Sequence, residues 1–160
     1  MALMAAREIV CSRSSVPASA LVGVVAVSPF TLHPDNVPST IRASYTSYVE
    51  YGQGAPVIDR SVMAEFFRAA NMDRTNRQGF FLLDDEGYSN FPRVYISTAE
   101  CDPLRDDGKV LASALKDAGV SVREHCYLGL PHCFWFFNTL PEWSTFITNT
   151  ASAIQWATSE

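Results

Sequence analysis

Charge is scarce in this chain. Only 18% of its 160 residues are Asp, Glu, Lys or Arg, against 48% hydrophobic and 12% aromatic. That balance excludes a disordered or fibrous polypeptide and leaves a globular chain long enough for one domain with its own core. The cations are scattered and outnumbered, 12 Lys and Arg against 17 Asp and Glu for a net charge of −5. No basic stripe exists to neutralise phosphates, so nucleic acid and anionic membrane are excluded as partners and a neutral or cationic small molecule fits better. Long apolar runs are missing too: the longest, over 20–30, falls well short of the ~18 residues that suggest a membrane span. The opening Met1-Ala-Leu-Met-Ala-Ala-Arg-Glu lacks the basic start and apolar block of a secretory signal. Cys11, Cys101, Cys126 and Cys133 form no C-x-x-C pair and read as reduced thiols. Together these absences predict a soluble, cytoplasmic protein. Internal repeats and low-complexity tracts are absent as well.

What is present is an alternation of strand and helix signals. Ala, Leu and Met favour a short helix over 1–10, stopped by the serines around Arg13 and by Pro17. Leu21-Val-Gly-Val-Val-Ala-Val-Ser, ended by Pro29, has the Val-rich pattern of a strand buried on both faces in a parallel sheet. Pro34, Pro38, Gly52, Gly54 and Pro56, with Tyr45, Tyr48 and Tyr51 between them, predict loops and a short helix. Asp59 is placed to cap a helix over 60–70 that buries Met63, Phe66 and Phe67. Residues 71–90 read as polar surface loop anchored at 80–83. A second strand is expected over 93–99. Pro103, at a first helical position, then opens a helix with Leu104, Leu111, Leu115 and Ala118 on one face and Gly119 at its end. A third strand over 120–128, a loop over 131–137 and a final helix over 142–156, with Phe146, Ile147 and Trp156 inward, complete an α/β rhythm.

Two residues that bear chemistry stand directly after strands. Asp102 follows the second and His132 follows the third, so a parallel sheet brings both to its carboxyl edge, one strand apart. A carboxylate there fixes the tautomer of the imidazole and stabilises the imidazolium, and the other ring nitrogen takes a proton from a hydroxyl nucleophile. Asp102 before Pro103 also suits an ordinary helix cap, and the two roles can coexist. Asp106 and Asp107 favour the helix amino end, while His33 and His125 read as structural. A zinc site at His125, Cys126, His132 and Cys133 is disfavoured, because neighbours on a strand point to opposite faces. Cys101 and Cys133 flank the acid and base as substitute nucleophiles, but neither sits on a sharp strand-to-helix turn.

The run Asp102-Pro-Leu-Arg-Asp106 after one strand and Gly129-Leu-Pro-His132-Cys-Phe134 after the next resembles the hormone-sensitive-lipase-like branch of the α/β-hydrolase family. The fuller wording through Trp135, with Leu140-Pro-Glu beyond, is similar to fungal members associated with natural-product pathways. The resemblance implies the carboxyl-terminal half of an α/β-hydrolase fold: about three parallel strands with flanking helices, in one domain over 1–160 with a cap or loop insertion over 31–72. It implies Asp102 as triad acid and His132 as triad base, an apolar ester substrate beneath cap aromatics, and no cofactor. Both G-x-S-x-G and the H-G-G-G oxyanion loop are missing, and Gly119-Val-Ser121-Val lacks the second glycine. The chain is therefore expected to begin just after the serine, as an amino-terminally truncated hydrolase with an exposed strand edge inviting self-association or pairing. A non-catalytic binding or partner-docking remnant is the alternative.

Overall fold

Side-chain periodicity and turn chemistry account for most element boundaries in the computed structural model, which describes residues 2–77 and 79–159. In chain order the elements are α1 (Ala2–Val10), β1 (Gly23–Val27), α2 (Ser47–Glu50), α3 (Arg60–Ala69), β2 (Arg93–Cys101), α4 (Arg105–Asp117), β3 (Val122–Pro131) and α5 (Glu142–Thr158), with 3-10 turns in the connections. The Met1 end of the expected first helix lies outside the described residues. The sheet runs β1-β2-β3 with both pairings parallel: Val24 lies beside Val94, and Val94 beside Val122.

Three apolar clusters organise the layers. On one face of the sheet, Leu3, Ala6 and Val10 of α1 and Leu111 and Leu115 of α4 close over Val24, Ala26, Val94 and Ile96. On the other, Phe146 of α5 packs with Ala99, Tyr127 and Phe134. The long connection from β1 to β2 has a core of its own, where Leu32, Val37, Tyr45, Tyr48, Met63, Phe67 and Phe80 meet Leu104. That cluster helps to order a stretch rich in Pro and Gly, because burial of its apolar side chains opposes the entropy of ordering it.

The two ends of α4 show local chemistry setting geometry. At its start Gly108 lies against β2, where an added Cβ would stand 2.3 Å from Thr98 Cγ2, so only glycine allows this helix-to-sheet distance. At its end Gly119 adopts φ +85°. Its amide donates to the Lys116 carbonyl and that of Val120 to Leu115, both at 2.9 Å. This is a Schellman closure, completed by the shared burial of Leu115 and Val120. Asp59 caps α3 as expected, accepting from the Ser61 and Val62 amides at 2.9 and 3.1 Å.

Several expectations need correction. β1 is buried on one face only: Val24 and Ala26 are covered, but Val25 and Val27 stay half-exposed beside an outer edge with no strand partner among the described residues. Phe66 is 46% exposed, because α3 turns only Met63 and Phe67 inward, at the i, i+4 spacing of one helix face. Ile147 is likewise exposed, since the buried stripe of α5 is Phe146, Ala153 and Ala157, and Ile147 stands about 100° around the helix from it. α4 begins at Arg105, with Pro103 and Leu104 in a preceding turn. β3 runs on to Pro131, a position open to proline because β3 is an edge strand. Residues 71–90 are more than surface loop: Phe80, Phe81 and Tyr88 are buried. The buried Arg7 guanidinium donates to the carbonyls of Phe81, Asp84 and Arg77 at 3.1, 2.9 and 2.7 Å.

Replacing Gly108 by alanine forces α4 off the sheet. Urea denaturation is expected to show Gly108→Ala less stable by about 1–3 kcal/mol, the usual cost of overpacking a well-filled core, with an unchanged far-ultraviolet circular dichroism spectrum.

Candidate active site

Asp102 leaves the end of β2 almost wholly buried, at 1% exposure. One carboxylate oxygen, Oδ1, accepts the Leu104 amide at 2.8 Å, and the Asp102 carbonyl accepts the Arg105 amide at 3.0 Å. Asp102 thus closes the turn that leads into α4, whose cap position is Leu104 with no side-chain cap bond, while its second oxygen, Oδ2, lies 2.8 Å from Nδ1 of His132. The sequence-predicted pair is therefore in direct contact.

The contact is made by a register shift. β2 and β3 pair in step up to Ala99 with Tyr127, but the next pair is Cys101 with Pro131. Two extra residues of β3 are thus absorbed in a bulge, which advances His132 to stand opposite Asp102. Gly129 sits in that bulge at φ +70°, a left-handed conformation that glycine adopts without penalty. Its amide donates to the Glu100 carboxylate at 2.7 Å, pinning the bulge to β2. Trp135 packs near the imidazole, with ring centroids 6.0 Å apart. With the carboxylate taking Nδ1–H, the neutral ring presents a lone pair at Nε2, which has no protein partner among the described residues. The arrangement can accept a proton from a hydroxyl and hold the resulting imidazolium.

The neighbouring thiols do not share this preparation. Burial, and then the Asp102 charge, push the Cys133 thiol pKa up, the reverse of what activates a thiolate nucleophile. His33 accepts the Asp35 amide on Nδ1 at 3.2 Å and packs on Phe67 and Phe80. His125 shares a face of β3 with Tyr127, ring to ring at 4.4 Å, so the intervening Cys126 points the other way.

Asp106 and Asp107 do far more than favour a helix end. Both are buried, and both hold the β1-to-β2 connection against α4. Asp106 Oδ2 accepts the Thr46 and Ser47 amides at 2.7 and 2.8 Å, and Oδ1 takes Arg105 Nε at 2.8 Å. Arg105 in turn reaches Glu50 at 2.9 Å. Ser47 Oγ donates to the Pro103 carbonyl at 2.8 Å, bracing the turn that carries Asp102. Asp107 Oδ1 accepts the Thr31 and Leu32 amides at 2.5 and 3.0 Å and the Thr31 hydroxyl at 3.0 Å, and Oδ2 accepts the Tyr45 hydroxyl. Burial pushes the Asp106 carboxyl up but is outweighed by Arg105 and by the Ser47 and Thr46 amides, which hold it at about 2. For Asp107 burial wins over its donors and raises the carboxyl to about 6. The adjacent acids were visible in the sequence, but their partners in the β1-to-β2 connection lie 59 to 76 residues away, beyond what local pattern shows.

A family model for the alpha/beta hydrolase fold matches residues 1–136. Versiconal hemiacetal acetate esterase of Dothistroma septosporum is 39% identical over 140 residues, covering 88% of this chain and 43% of that protein. The esterase of the same name from Aspergillus parasiticus is 37% identical over 137 residues, covering 84% and 43%. Among solved structures, vibralactone cyclase superposes with a TM-score of 0.87 at 27% identity, covering 98% of this chain and 45% of that one. An esterase of Pyrobaculum calidifontis gives 0.77 at 26% identity, covering 98% and 49%. The chain thus spans less than half the length of these relatives.

The two buried acids give opposite pH signatures. Between about 4 and 6 the native chain binds more protons at Asp107 than the unfolded chain does, so stability from this group rises as pH falls through that window. Asp106, depressed, contributes stability that is lost only as pH falls from about 4 to about 2. Thermal melts at pH 4 to 7 are expected to show the Asp107→Asn variant losing the rise toward pH 4, relative to the parent.

Proposed function

The chain belongs to the alpha/beta hydrolase family, and on that premise we propose that Asp102 and His132 are the acid and base of a serine-hydrolase triad acting on carboxylic esters. Its three parallel strands and flanking helices fit the carboxyl-terminal half of that fold, and its fungal relatives are named as esterases. The single observation that carries the proposal is the 2.8 Å contact between the buried Asp102 carboxylate and His132, with Nε2 left unpartnered. The nucleophile and oxyanion donors come from polypeptide outside residues 1–160, in which no G-x-S-x-G occurs.

In this reading the serine hydroxyl attacks the ester carbonyl carbon and its proton passes to Nε2 of His132. Asp102 holds the ring by Nδ1 and balances the imidazolium charge. The tetrahedral intermediate collapses, the C–O bond to the alcohol breaks, and the alcohol leaves with the proton from Nε2. Water, activated by the same nitrogen, then releases the acid and restores the serine. The relatives' names favour an acetate ester as substrate, the apolar motif surroundings suit an apolar ester of a fungal natural-product pathway, and the four free cysteines suit a reducing, cytoplasmic setting. Residues 1–160 act as one domain, with 31–72 as its cap.

A second reading, docking through β1, rests on its own observations. The outer edge of β1 is unpaired among the described residues. Beside it lies a hollow of about 220 Å3 lined by Leu3, Val25, Val27, Ser28, Phe30 and Phe81. Ser28 sits there at φ +39° with a buried hydroxyl that has no partner among the described residues. Ser28 is not the nucleophile: its amide bonds to Ser97, which places it about 13 Å short of Asp102 along the sheet. The two readings are compatible, because one complementary strand would cover the edge and bring the serine.

The purified chain alone is expected to resist a fluorophosphonate probe. Mixed with, or fused to, the amino-terminal half of the Dothistroma relative, it is expected to be labelled and to hydrolyse p-nitrophenyl acetate. His132→Ala and Asp102→Asn should each lower kcat by about three orders of magnitude. Undiminished hydrolysis in both variants contradicts the triad, and a chain that stays monomeric beside that half contradicts docking through β1.

A further inference from the structure

A hollow of about 680 Å3 lies within residues 33–67, and neither Asp102 nor His132 lines it. Small-molecule sites occupy about 300–1,000 Å3 and combine an apolar lining with a few convergent polar groups. The depth here is aromatic: Tyr45, Tyr48 and Phe67 line it and are buried. Arg42 and Arg60 stand exposed on the same lining.

The polar groups of this lining are donors, and few of them are used. Arg42 gives one hydrogen bond, to the Val37 carbonyl at 3.0 Å. Arg60 gives one long bond to the Tyr48 carbonyl at 3.5 Å, and its guanidinium lies 5.8 Å from the Tyr48 ring centroid. Neither guanidinium has an acidic partner among the described residues. The buried phenols of Tyr45 and Tyr88 donate to Asp107 and to the Phe81 carbonyl, whereas the Tyr48 hydroxyl, on a residue 4% exposed, has no partner among the described residues. His33 accepts the Asp35 amide on Nδ1, so its neutral ring carries N–H at Nε2, also unpartnered. Asp35, the one acid among the lining residues, is turned to water with its side chain 74% exposed and lies 3.9 Å from His33.

A lining of unused donors over an aromatic floor calls for an acceptor-rich anion with an apolar body. Phosphate or sulfate alone would leave the aromatic depth unfilled, and a neutral apolar ligand would leave two guanidiniums without a counter-charge. We propose that this hollow is a second site, which binds a small aromatic carboxylate: the ring packs against Tyr48 and Phe67, and the carboxylate is taken by Arg42, Arg60 and the Tyr48 hydroxyl. Planar guanidinium forks match a carboxylate in charge and geometry. The site stands apart from the acid and base pair and does not require the chain to be catalytic.

The test is isothermal titration calorimetry of the chain with 2-naphthoate and with 2-naphthamide, which has the same ring system without the charge. Naphthoate is expected to bind at least about tenfold more tightly than the amide. Arg42→Gln and Arg60→Gln, both exposed positions, are each expected to weaken naphthoate about tenfold and leave the amide unchanged. Tyr48→Phe should weaken it less, and His132→Ala not at all. Equal binding of the two probes, no binding of naphthoate, indifference to both arginine variants, or loss of binding in His132→Ala would each overturn the proposal.

Discussion

A two-residue bulge in β3 is the constraint on which the site depends. Without it, Cys101 would lie opposite Gly129, and His132 would project past the end of β2. With it, Cys101 pairs with Pro131, and the next residue on each strand meets the other, carboxylate to imidazole. The glycine of the Gly129-Leu-Pro-His132 run therefore has a geometric purpose: it turns the chain at φ +70° and offers its amide to Glu100. Proline two residues later is tolerated although it has no N–H to donate, because β3 is an edge strand among the described residues.

The amino end of α4 gathers the rest of the structure onto that contact. Three buried carboxylates stand within six residues, and each is committed to a different part of the chain. Asp102 holds the β3 loop, Asp106 holds α2, and Asp107 holds the residues just after β1. Burying an acid is costly unless donors surround it, and here the donors to Asp106 and Asp107 include four backbone amides of the segment being held. The same bonds that stabilise the acids thus fix the β1-to-β2 connection against α4. Ser47, which bonds the Pro103 carbonyl, links this anchoring directly to the turn bearing Asp102.

Much of this was legible in the sequence where the governing interactions are local. The strand and helix alternation, the Asp59 cap and the closure at Gly119 follow from residues within a few positions of one another. The Asp102 and His132 pairing was legible because parallel strands deliver their carboxyl ends to one edge, so two strand-end residues meet without knowledge of the intervening chain. What was not legible depends on distant partners. Asp106 and Asp107 look like helix-dipole residues until Thr31, Tyr45 and Ser47 are brought to them. Arg7 looks like a surface cation until the carbonyls of the 77–84 loop surround it. Phe66 and Ile147 were misplaced because hydrophobicity alone does not say which stripe of a helix turns inward.

Asp102 holds the His132 ring at Nδ1 and leaves Nε2 without a partner among the described residues. Long-range 1H–15N correlation spectroscopy of the histidine side chains reads this directly, at a pH where the ring is neutral. A single His132 tautomer with the proton on Nδ1 is expected, replaced by a mixture in Asp102→Asn. A proton resident on Nε2, or an even mixture in the unaltered chain, would contradict it.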